Sequence, residues 1–232
     1  MPRQRDDTVY EETQATIKTL ARQQMAEDGT AAISLRGIGR AMDMTAPALY
    51  RYYPTRDDLI TALIVDGFNG LADALEAADA ALDTRPLSER LLGVLATYRQ
   101  WAIDHRVDFQ LIYGNPIPGY VAPREITVPA VIRTFVPVVR LMEMALQSGA
   151  LVPNPPYDTI PSVIEQHEQA LIAEGSYPIS PLAYHLTMVG WTQIHGIIVL
   201  EMYEHLGPNV GDVDQFYETT VRALLTTMGM RW

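Results

Sequence analysis

The chain has 232 residues, of which 48% are hydrophobic, and a formal net charge of −11 at pH 7. This length can supply one large or two modest domains, each with a buried core. Because the sequence contains no cysteine, a disulfide framework, a thiolate nucleophile and a cysteine-ligated zinc site are excluded.

The negative charge is distributed unevenly along the chain. Residues 1–60 carry eight Lys+Arg and nine Asp+Glu, a net charge of −1, whereas the remainder carries nine and nineteen, a net charge of −10. A locally basic surface near the N-terminus is therefore compatible with the acidic total. No apolar signal segment precedes the first amphipathic pattern, so we expect a cytoplasmic protein.

The first predicted helix covers residues 8–28. Ile17, Ala21 and Met25 recur at helical spacing and indicate its buried face. Gly29 is typical of a helix C-terminus. Residues 1–7 are predicted to form a short solvated arm, with contact of Arg3 and Arg5 to phosphate or the minor groove as the alternative.

Two short helical patterns follow within residues 34–63, separated by a break of three or four residues. Ser34 is a favourable N-cap for the first helix and Thr45 for the second, and proline is tolerated in the first turn at Pro47. Tyr53-Pro54 ends the second helix, because the residue before a proline is disfavoured in the α region. This arrangement is typical of a helix-turn-helix, whose second helix lies in the DNA major groove. An ordinary helical hairpin within an all-α protein is the alternative.

The same stretch resembles the tetracycline-repressor-like (TetR/AcrR) family of bacterial transcription regulators. The residues that carry the resemblance are Leu35, Arg36, Ile38, Thr45, Ala48, Leu49, Tyr50, Tyr53, Arg56 and Leu59. Two positions depart from the family pattern: Asp43 replaces the usual turn glycine, and Arg56 replaces a lysine. Aspartate tolerates left-handed backbone better than most residues, so the turn can survive. The resemblance implies a DNA-binding domain over residues 1–55 and a helical ligand-binding and dimerisation domain over residues 56–232.

The rest of the chain shows helical periodicity and no strand-like alternation, so the predicted fold class is all-α. The expected helices continue to about residue 82 and then cover residues 88–104, 109–113, 129–151, 162–174, 180–206 and 212–230. We expect a small N-terminal three-helix unit, fused through its connecting helix to a larger helical domain.

The segment 180–206 is the most apolar part of the chain. It lacks Asp, Glu, Lys and Arg as far as Leu200, which satisfies the length of about 20 residues for a membrane span. Polar residues within it, including His185 and His195, favour a buried helix instead, and we predict no membrane partner.

The C-terminal part carries a second resemblance, to the TetR subgroup named for its Trp and His-Gly signature. Trp191, His195-Gly196, Leu200-Glu201 and Leu206-Gly207 carry it, and the run 98–118 fits the same subgroup. In this family, two C-terminal helices of each protomer form a four-helix bundle. We therefore expect a homodimer through helices 180–206 and 212–230.

Nine residues are predicted to contact double-stranded operator DNA. Arginine can bind guanine bidentately, and the methyl groups of Ala or Thr can meet thymine. The base-reading set is Arg36, Thr45, Ala46, Pro47, Ala48 and Arg51. Contacts to phosphate are predicted for Tyr50, Tyr52 and Arg56, with core packing as an equal alternative for Tyr50.

A small-molecule effector site is predicted from aromatic and pliable residues in the second part of the chain. The candidate ligand-binding residues are Tyr98, Trp101, His105, Phe109, Tyr113, Tyr120, Met142, Met188, Trp191 and His195, with Phe135 and Gln193 beside them. They favour a mostly apolar ligand, and an aromatic molecule or a cationic lipophile is compatible. The scarcity of cations disfavours an anionic ligand. Core packing is the alternative for each residue.

An enzyme and a purely structural helical dimer without DNA binding are the competing functions. Glu201 and His205, four residues apart, form a pair that a helical metalloenzyme can use. However, helical carboxylate metal sites need a second such motif, and no phosphate-binding glycine loop or Gly-x-Ser-x-Gly is present. We therefore predict no catalytic activity, metal or cofactor. The favoured function is a ligand-responsive homodimeric transcription regulator. That it represses rather than activates transcription is implied only by the family resemblance.

Overall fold

The computed structural model describes residues 2–175 and 177–232, with side chains from Thr8 onward. Eleven helices lie in these residues: α1 Pro2–Asp28, α2 Leu35–Ala41, α3 Ala46–Tyr50, α4 Arg56–Ala81, α5 Leu87–Asp104, α6 Arg106–Tyr113, α7 Arg124–Ser148, α8 Ser162–Gly175, α9 Pro181–Met202, α10 Gly207–Val210 and α11 Val213–Met228. A 3-10 turn, Thr30–Ala32, joins α1 to α2. The described residues contain no strand, only an isolated bridge between Leu151 and Met230. The predicted all-α class is confirmed.

Three predicted boundaries are wrong by four or more residues. The backbone is helical from Pro2, so α1 begins six residues before the predicted start; Met1 and the side chains of residues 2–7, on which the predicted solvated arm depends, lie outside the described parts. Helix α7 begins five residues before the predicted start, because the Pro123 carbonyl accepts hydrogen bonds from the amides of residues 126 and 127, both at 3.0 Å. Helix α9 ends at Met202 rather than 206, since Glu204 takes a left-handed φ of 61°.

The chain forms two compact units. Unit 1 consists of the residues up to Gly70 together with His105–Val131, and unit 2 of Leu71–Asp104 together with Ile132–Trp232. The division therefore falls inside α4, and unit 1 includes α6. The functional domain boundary after residue 55 stays a prediction.

The core of unit 1 holds the helix-turn-helix against α1. Ile17 and Ala21 of α1 are fully buried, as are Ile38 of α2 and Leu63 of α4. Leu49 of α3 is 1% exposed and belongs to the same cluster. A fully buried aliphatic side chain contributes about 1.5–3 kcal/mol, so Leu49 is the main anchor of this five-residue helix.

A reciprocal cap fixes the start of α4. The Thr55 hydroxyl accepts a hydrogen bond from the Asp58 amide at 3.1 Å, and the Asp58 carboxylate accepts one from the Thr55 amide at 2.9 Å. Both otherwise unpaired amides are satisfied, and the negative charges of Asp57 and Asp58 suit the helix N-terminus. Thr55 is therefore the N-cap of α4.

Helix α9 buries one face in the core of unit 2. The buried residues recur every three or four positions: Ala183, Leu186, Thr187, Gly190, Ile194, Ile198 and Met202. Thr192, Gln193 and Leu200 on the other side are exposed. In the described part of the chain, no helix has the length and apolar character needed to cross a bilayer.

Candidate functional site

The turn between α2 and α3 is tight and partly left-handed. Asp43 has a φ of 51°, the conformation expected where the family pattern has glycine. The Met44 amide donates to the Gly39 carbonyl at 2.9 Å, which closes the turn. At the start of α2, the Ser34 hydroxyl accepts from the Gly37 amide at 3.2 Å, and the Ser34 amide donates to Gln24 Oε1 of α1 at 2.8 Å. These contacts fix α2 and α3 relative to α1.

The predicted base-reading residues lie on the outer side of this motif. All of them are exposed except Ala48, which is half-buried. Thr45 precedes α3 but its hydroxyl makes no capping hydrogen bond. Neither Arg36 nor Arg51 is in a salt bridge within the described residues. This arrangement leaves two guanidinium groups and one hydroxyl available to a ligand outside the chain.

Arg40 is a candidate that sequence reasoning missed. It lies four residues after Arg36 on α2, is exposed, and lines with it a shallow depression of about 260 Å³ between α2 and α3. The other lining residues are Leu35, Gly39, Met44, Ala46, Leu49 and Tyr50. The i, i+4 spacing of two arginines was the available signal, because such residues share a helix face.

Of the three residues predicted to contact phosphate, Tyr50 is exposed, whereas Tyr52 and Arg56 also contact neighbouring parts of unit 1. Tyr50 is 41% exposed. Arg56 donates from Nη2 to the Ala31 carbonyl at 2.8 Å and from Nε to the Ile33 carbonyl at 3.0 Å. Tyr52 stacks on Tyr10 with ring centroids 4.7 Å apart. Arg56 and Tyr52 therefore brace the motif, and their contact with phosphate stays a prediction.

Three of the predicted ligand-binding residues meet in unit 2. The Tyr98 hydroxyl lies 2.6 Å from His195 Nδ1, and Trp191 Nε1 donates to the same hydroxyl at 3.4 Å. The Phe135 ring packs edge-on against Trp191, with centroids 5.4 Å apart. We call these four residues the Tyr98 cluster. Burial lowers the pKa of His195, so its imidazole is neutral near pH 7 and presents one N–H donor and one acceptor nitrogen.

The remaining predicted ligand-binding residues are divided between the two units. In unit 2, Trp101 and Met142 are buried core residues and Met188 is half-buried. His105, Phe109, Tyr113 and Tyr120 belong to unit 1. The predicted set is thus distributed over both units.

Within unit 1, these residues have identifiable partners. Phe109 is 3% exposed, and the Tyr113 ring meets Phe68 edge-on at 5.6 Å. The Tyr120 hydroxyl lies 2.9 Å from Thr61 Oγ1. His105 is exposed immediately before α6. At least Phe109 therefore serves the core, the alternative considered for every member of the set.

Glu201 and His205, the pair considered for a helical metalloenzyme, do not share one helix face, because α9 ends at Met202. Both oxygens of Glu201 instead accept hydrogen bonds from Arg99 at 2.6 Å, and Arg99 also binds Asp214 at 2.6 Å. These partners raise the pKa of Arg99. Among the described residues, no three or more His, Asp or Glu side chains are placed to hold a metal ion.

Comparison with known proteins agrees with this geometry. Residues 17–63 match the family of bacterial regulatory proteins of the tetR type, and residues 91–224 match the tetracyclin repressor-like C-terminal domain. The HTH-type transcriptional regulator Rv1816 of Mycobacterium tuberculosis is 26% identical over 219 residues, covering 94% of this chain and 93% of that protein.

Two solved structures share the fold along nearly the whole chain. The regulatory protein SCO4313 superposes with a TM-score of 0.75 at 29% identity, covering 95% of this chain and 98% of that one. RolR, solved with the ligand resorcinol, superposes with a TM-score of 0.54 at 19% identity, covering 97% and 91%. Assignment to the Trp/His-Gly subgroup stays a prediction. The helix-turn-helix geometry and the two family matches, the second spanning more than half of the sequence, establish that the chain belongs to the TetR family of DNA-binding transcriptional regulators, not to a family of enzymes.

Proposed function

We propose that this regulator is a cytoplasmic homodimeric repressor that leaves its operator when a mostly apolar small molecule binds in unit 2. The observation that carries the proposal is the Tyr98 cluster, where an aromatic surface adjoins a neutral imidazole and a phenol hydroxyl. Ligand sites in proteins commonly combine apolar walls with a few orienting polar groups. Trp191, at the centre of the cluster, is only half-buried.

The chemistry of the cluster favours an uncharged aromatic ligand. Trp191 and Phe135 offer ring faces and edges for stacking. His195, kept neutral by burial, offers hydrogen bonding without charge. The net charge of −10 after residue 60 disfavours an anion and tolerates a cationic lipophile. RolR, which shares the fold, was solved with resorcinol, an aromatic ligand of this general class.

Release from DNA requires the effector to bind one conformation better than the other. A dimer would place two helix-turn-helix units on half-sites about 34–36 Å apart. An effector that prefers a different spacing shifts the population away from DNA, with a coupling free energy of about 1–3 kcal/mol in typical systems.

The two copies of the proposed dimer meet through α9. A Cβ built on Gly196 has no neighbour within 4 Å in its own chain, and Leu200 and Tyr203 are 47% and 48% exposed. These positions recur at helical spacing, so they form one open stripe along α9 and its C-cap residue Tyr203. Small residues in such a stripe allow two helices to approach closely.

Operator release tests the ligand assignment. Fluorescence anisotropy of a labelled operator fragment would be followed while neutral aromatic, cationic and anionic compound sets are added. Neutral aromatic or cationic compounds should release the DNA, and Trp191→Ala should require roughly tenfold more compound. Trp232→Ala is the matched control, because Trp232 lies at the C-terminus against Arg222. Release by anionic metabolites alone, unaffected by Trp191→Ala, would contradict the assignment.

A further inference from the structure

Helix α8 is amphipathic but turns its apolar side to the outside. Val163, Ile164 and Leu171 are 79%, 44% and 39% exposed. At 100° per residue they lie within a sector of about 100°, which also contains the polar residues His167 and Glu174. The one buried residue of α8 is charged: Glu168, which is 5% exposed. An amphipathic helix normally has the reverse arrangement.

The contact of α8 with its own chain is correspondingly polar. Glu168 Oε1 lies 2.9 Å from His185 Nδ1 of α9. Its other carboxylate oxygen is buried and has no hydrogen-bond partner among the residues that the structure describes. A buried carboxylate oxygen without a donor costs free energy, so this contact by itself holds α8 poorly.

His185 places α8 at one end of the open stripe of α9. Counting in helical steps, His185 shares a face with Val189, Gln193 and Gly196, and this face continues to Leu200 and Tyr203. Helix α8 therefore contacts α9 at the N-terminal end of this face, and the C-terminal end with Leu200 and Tyr203 is left exposed.

The stripe alone is too small for a stable dimer. Helix α9 has 22 residues, so it is about 33 Å long, and a strip about 10 Å wide gives roughly 330 Å². A stable interface needs about 800 Å² on each partner. Helix α11 adds mainly polar residues, because its exposed positions include Glu218, Thr219, Arg222 and Thr226. Helix α8 has 14 residues and α11 has 16, so strips of the same width add roughly 210 Å² and roughly 240 Å², and the three helices together reach roughly 780 Å².

We propose that the exposed apolar side of α8 packs on a second copy of this chain, as part of the same interface as the α9 stripe. This inference rests on the proposed homodimer. In a two-fold interface, the same patch of each copy faces the other, so α8 of one copy flanks the C-terminal end of α9 of the other. The polar outer face of α11 then forms the rim, where polar residues are typical.

Sedimentation equilibrium of wild type, Leu171→Arg and Val136→Arg tests the proposal. An unpaired arginine in the interface should weaken dimerisation roughly 100-fold. Val136 of α7 is the matched control, because it is an aliphatic residue 48% exposed on another helix. Its replacement should leave the dimerisation constant within about threefold. Circular dichroism of each variant verifies folding.

Cysteine labelling supplies a measurement that does not depend on a disruptive substitution. The natural sequence has no cysteine, so Leu171→Cys and Val136→Cys are clean single labels. The maleimide rate at Leu171→Cys should fall roughly tenfold as protein concentration rises through the dimerisation constant, whereas the rate at Val136→Cys should stay constant. A wild-type dimer that Leu171→Arg does not weaken, with concentration-independent labelling at Leu171→Cys, would overturn the inference and leave dimerisation through α9 intact. A monomeric wild type would refute the proposed homodimer and the inference together.

Discussion

Arg22 of α1 donates from Nε to both carboxylate oxygens of Asp108 of α6, at 2.8 and 3.0 Å. Lys18, one turn earlier, lies 2.7 Å from Asp66 of α4. A Cβ built on Gly67 would lie 3.0 Å from Ile112, so α4 and α6 approach closely at that glycine. Helices α1, α4 and α6 therefore meet in unit 1, and a shift of α6 would act directly on the helix that supports the recognition motif.

Asp108→Asn should lower the free energy of unfolding. Asp108 is 13% exposed at its side chain and Arg22 is 30% exposed, so the loss should be about 1–2 kcal/mol, below the value for a fully buried pair. Urea denaturation measures it, with Asp83→Asn, at an exposed position, as the control. Equal stability of the two variants would contradict a structural role for the pair.

Arg36→Ala should relax operator sequence preference. An exposed arginine that reads guanine contributes about 1–3 kcal/mol at a matched site, and its loss should affect mismatched DNA much less. Binding of matched and scrambled fragments measures the difference, and Arg231→Ala controls for the lost charge. Uniform weakening on all sequences would contradict base reading by Arg36.

Arg56→Ala separates two roles of one side chain. Because Arg56 donates to the carbonyls of Ala31 and Ile33, its removal should destabilise the protein by about 1–2 kcal/mol. If Arg56 also contacts phosphate, the slope of log affinity against log salt should fall by about one. Arg56→Lys is the companion variant, since it keeps the charge and loses the forked donors. Lower stability with an unchanged slope would limit Arg56 to bracing the loop before α2.

The effect of substituting Asp43 on the free energy of unfolding should depend on its left-handed backbone conformation. At a φ of 51°, Asp43→Ala should cost about 1 kcal/mol, because alanine is strained in the left-handed region. Asp43→Gly should be neutral or stabilising by up to about 1 kcal/mol, since relief of strain is offset in part by unfolded-state entropy. Thermal and urea unfolding measure both. A more stable Asp43→Ala would contradict this account of the turn.

His195 should make stability depend on pH. Burial lowers its folded-state pKa from the ordinary value of 6.5, so the unfolded state binds the proton more readily. Where the imidazole is neutral in both the folded and the unfolded state, titration of His195 does not change the free energy of unfolding. Its contribution to stability decreases as pH falls below about 6.5 and levels off below the folded-state pKa. Unfolding of wild type and His195→Gln between about pH 7.5 and pH 5.5 measures the difference. A difference that does not change with pH would contradict the buried neutral state.

Local sequence signals predicted the DNA-binding unit well because they act over few residues. Ser34 and Thr55 cap their helices as their residue types indicate, and Asp43 adopts the left-handed turn. Long-range partners were not predictable. Nothing near Glu201 in sequence indicates that Arg99, about a hundred residues earlier, binds it. The helix end at Met202 was missed because the apolar periodicity continues through Tyr203 and Leu206.

The sequence could not separate the candidate ligand-binding residues from core residues for a related reason. Aromatic residues at helical spacing look the same whether they pack in a core or line a site. Phe109 is a core residue of unit 1, and Tyr98, which is 5% exposed, is also buried, although its hydroxyl accepts a hydrogen bond from Trp191. Only the three-dimensional division into two units separates the candidates.

Footprinting of the purified protein on DNA that flanks its own gene tests the central claim most directly. At physiological salt, about 0.15 M, two protected half-sites about one helical turn apart are expected. Arg36→Ala should abolish the preference for these sites, whereas Arg231→Ala should preserve it. Absence of any protected site with wild-type protein, or a footprint that Arg36→Ala leaves unchanged, would contradict recognition of DNA through α2 and α3.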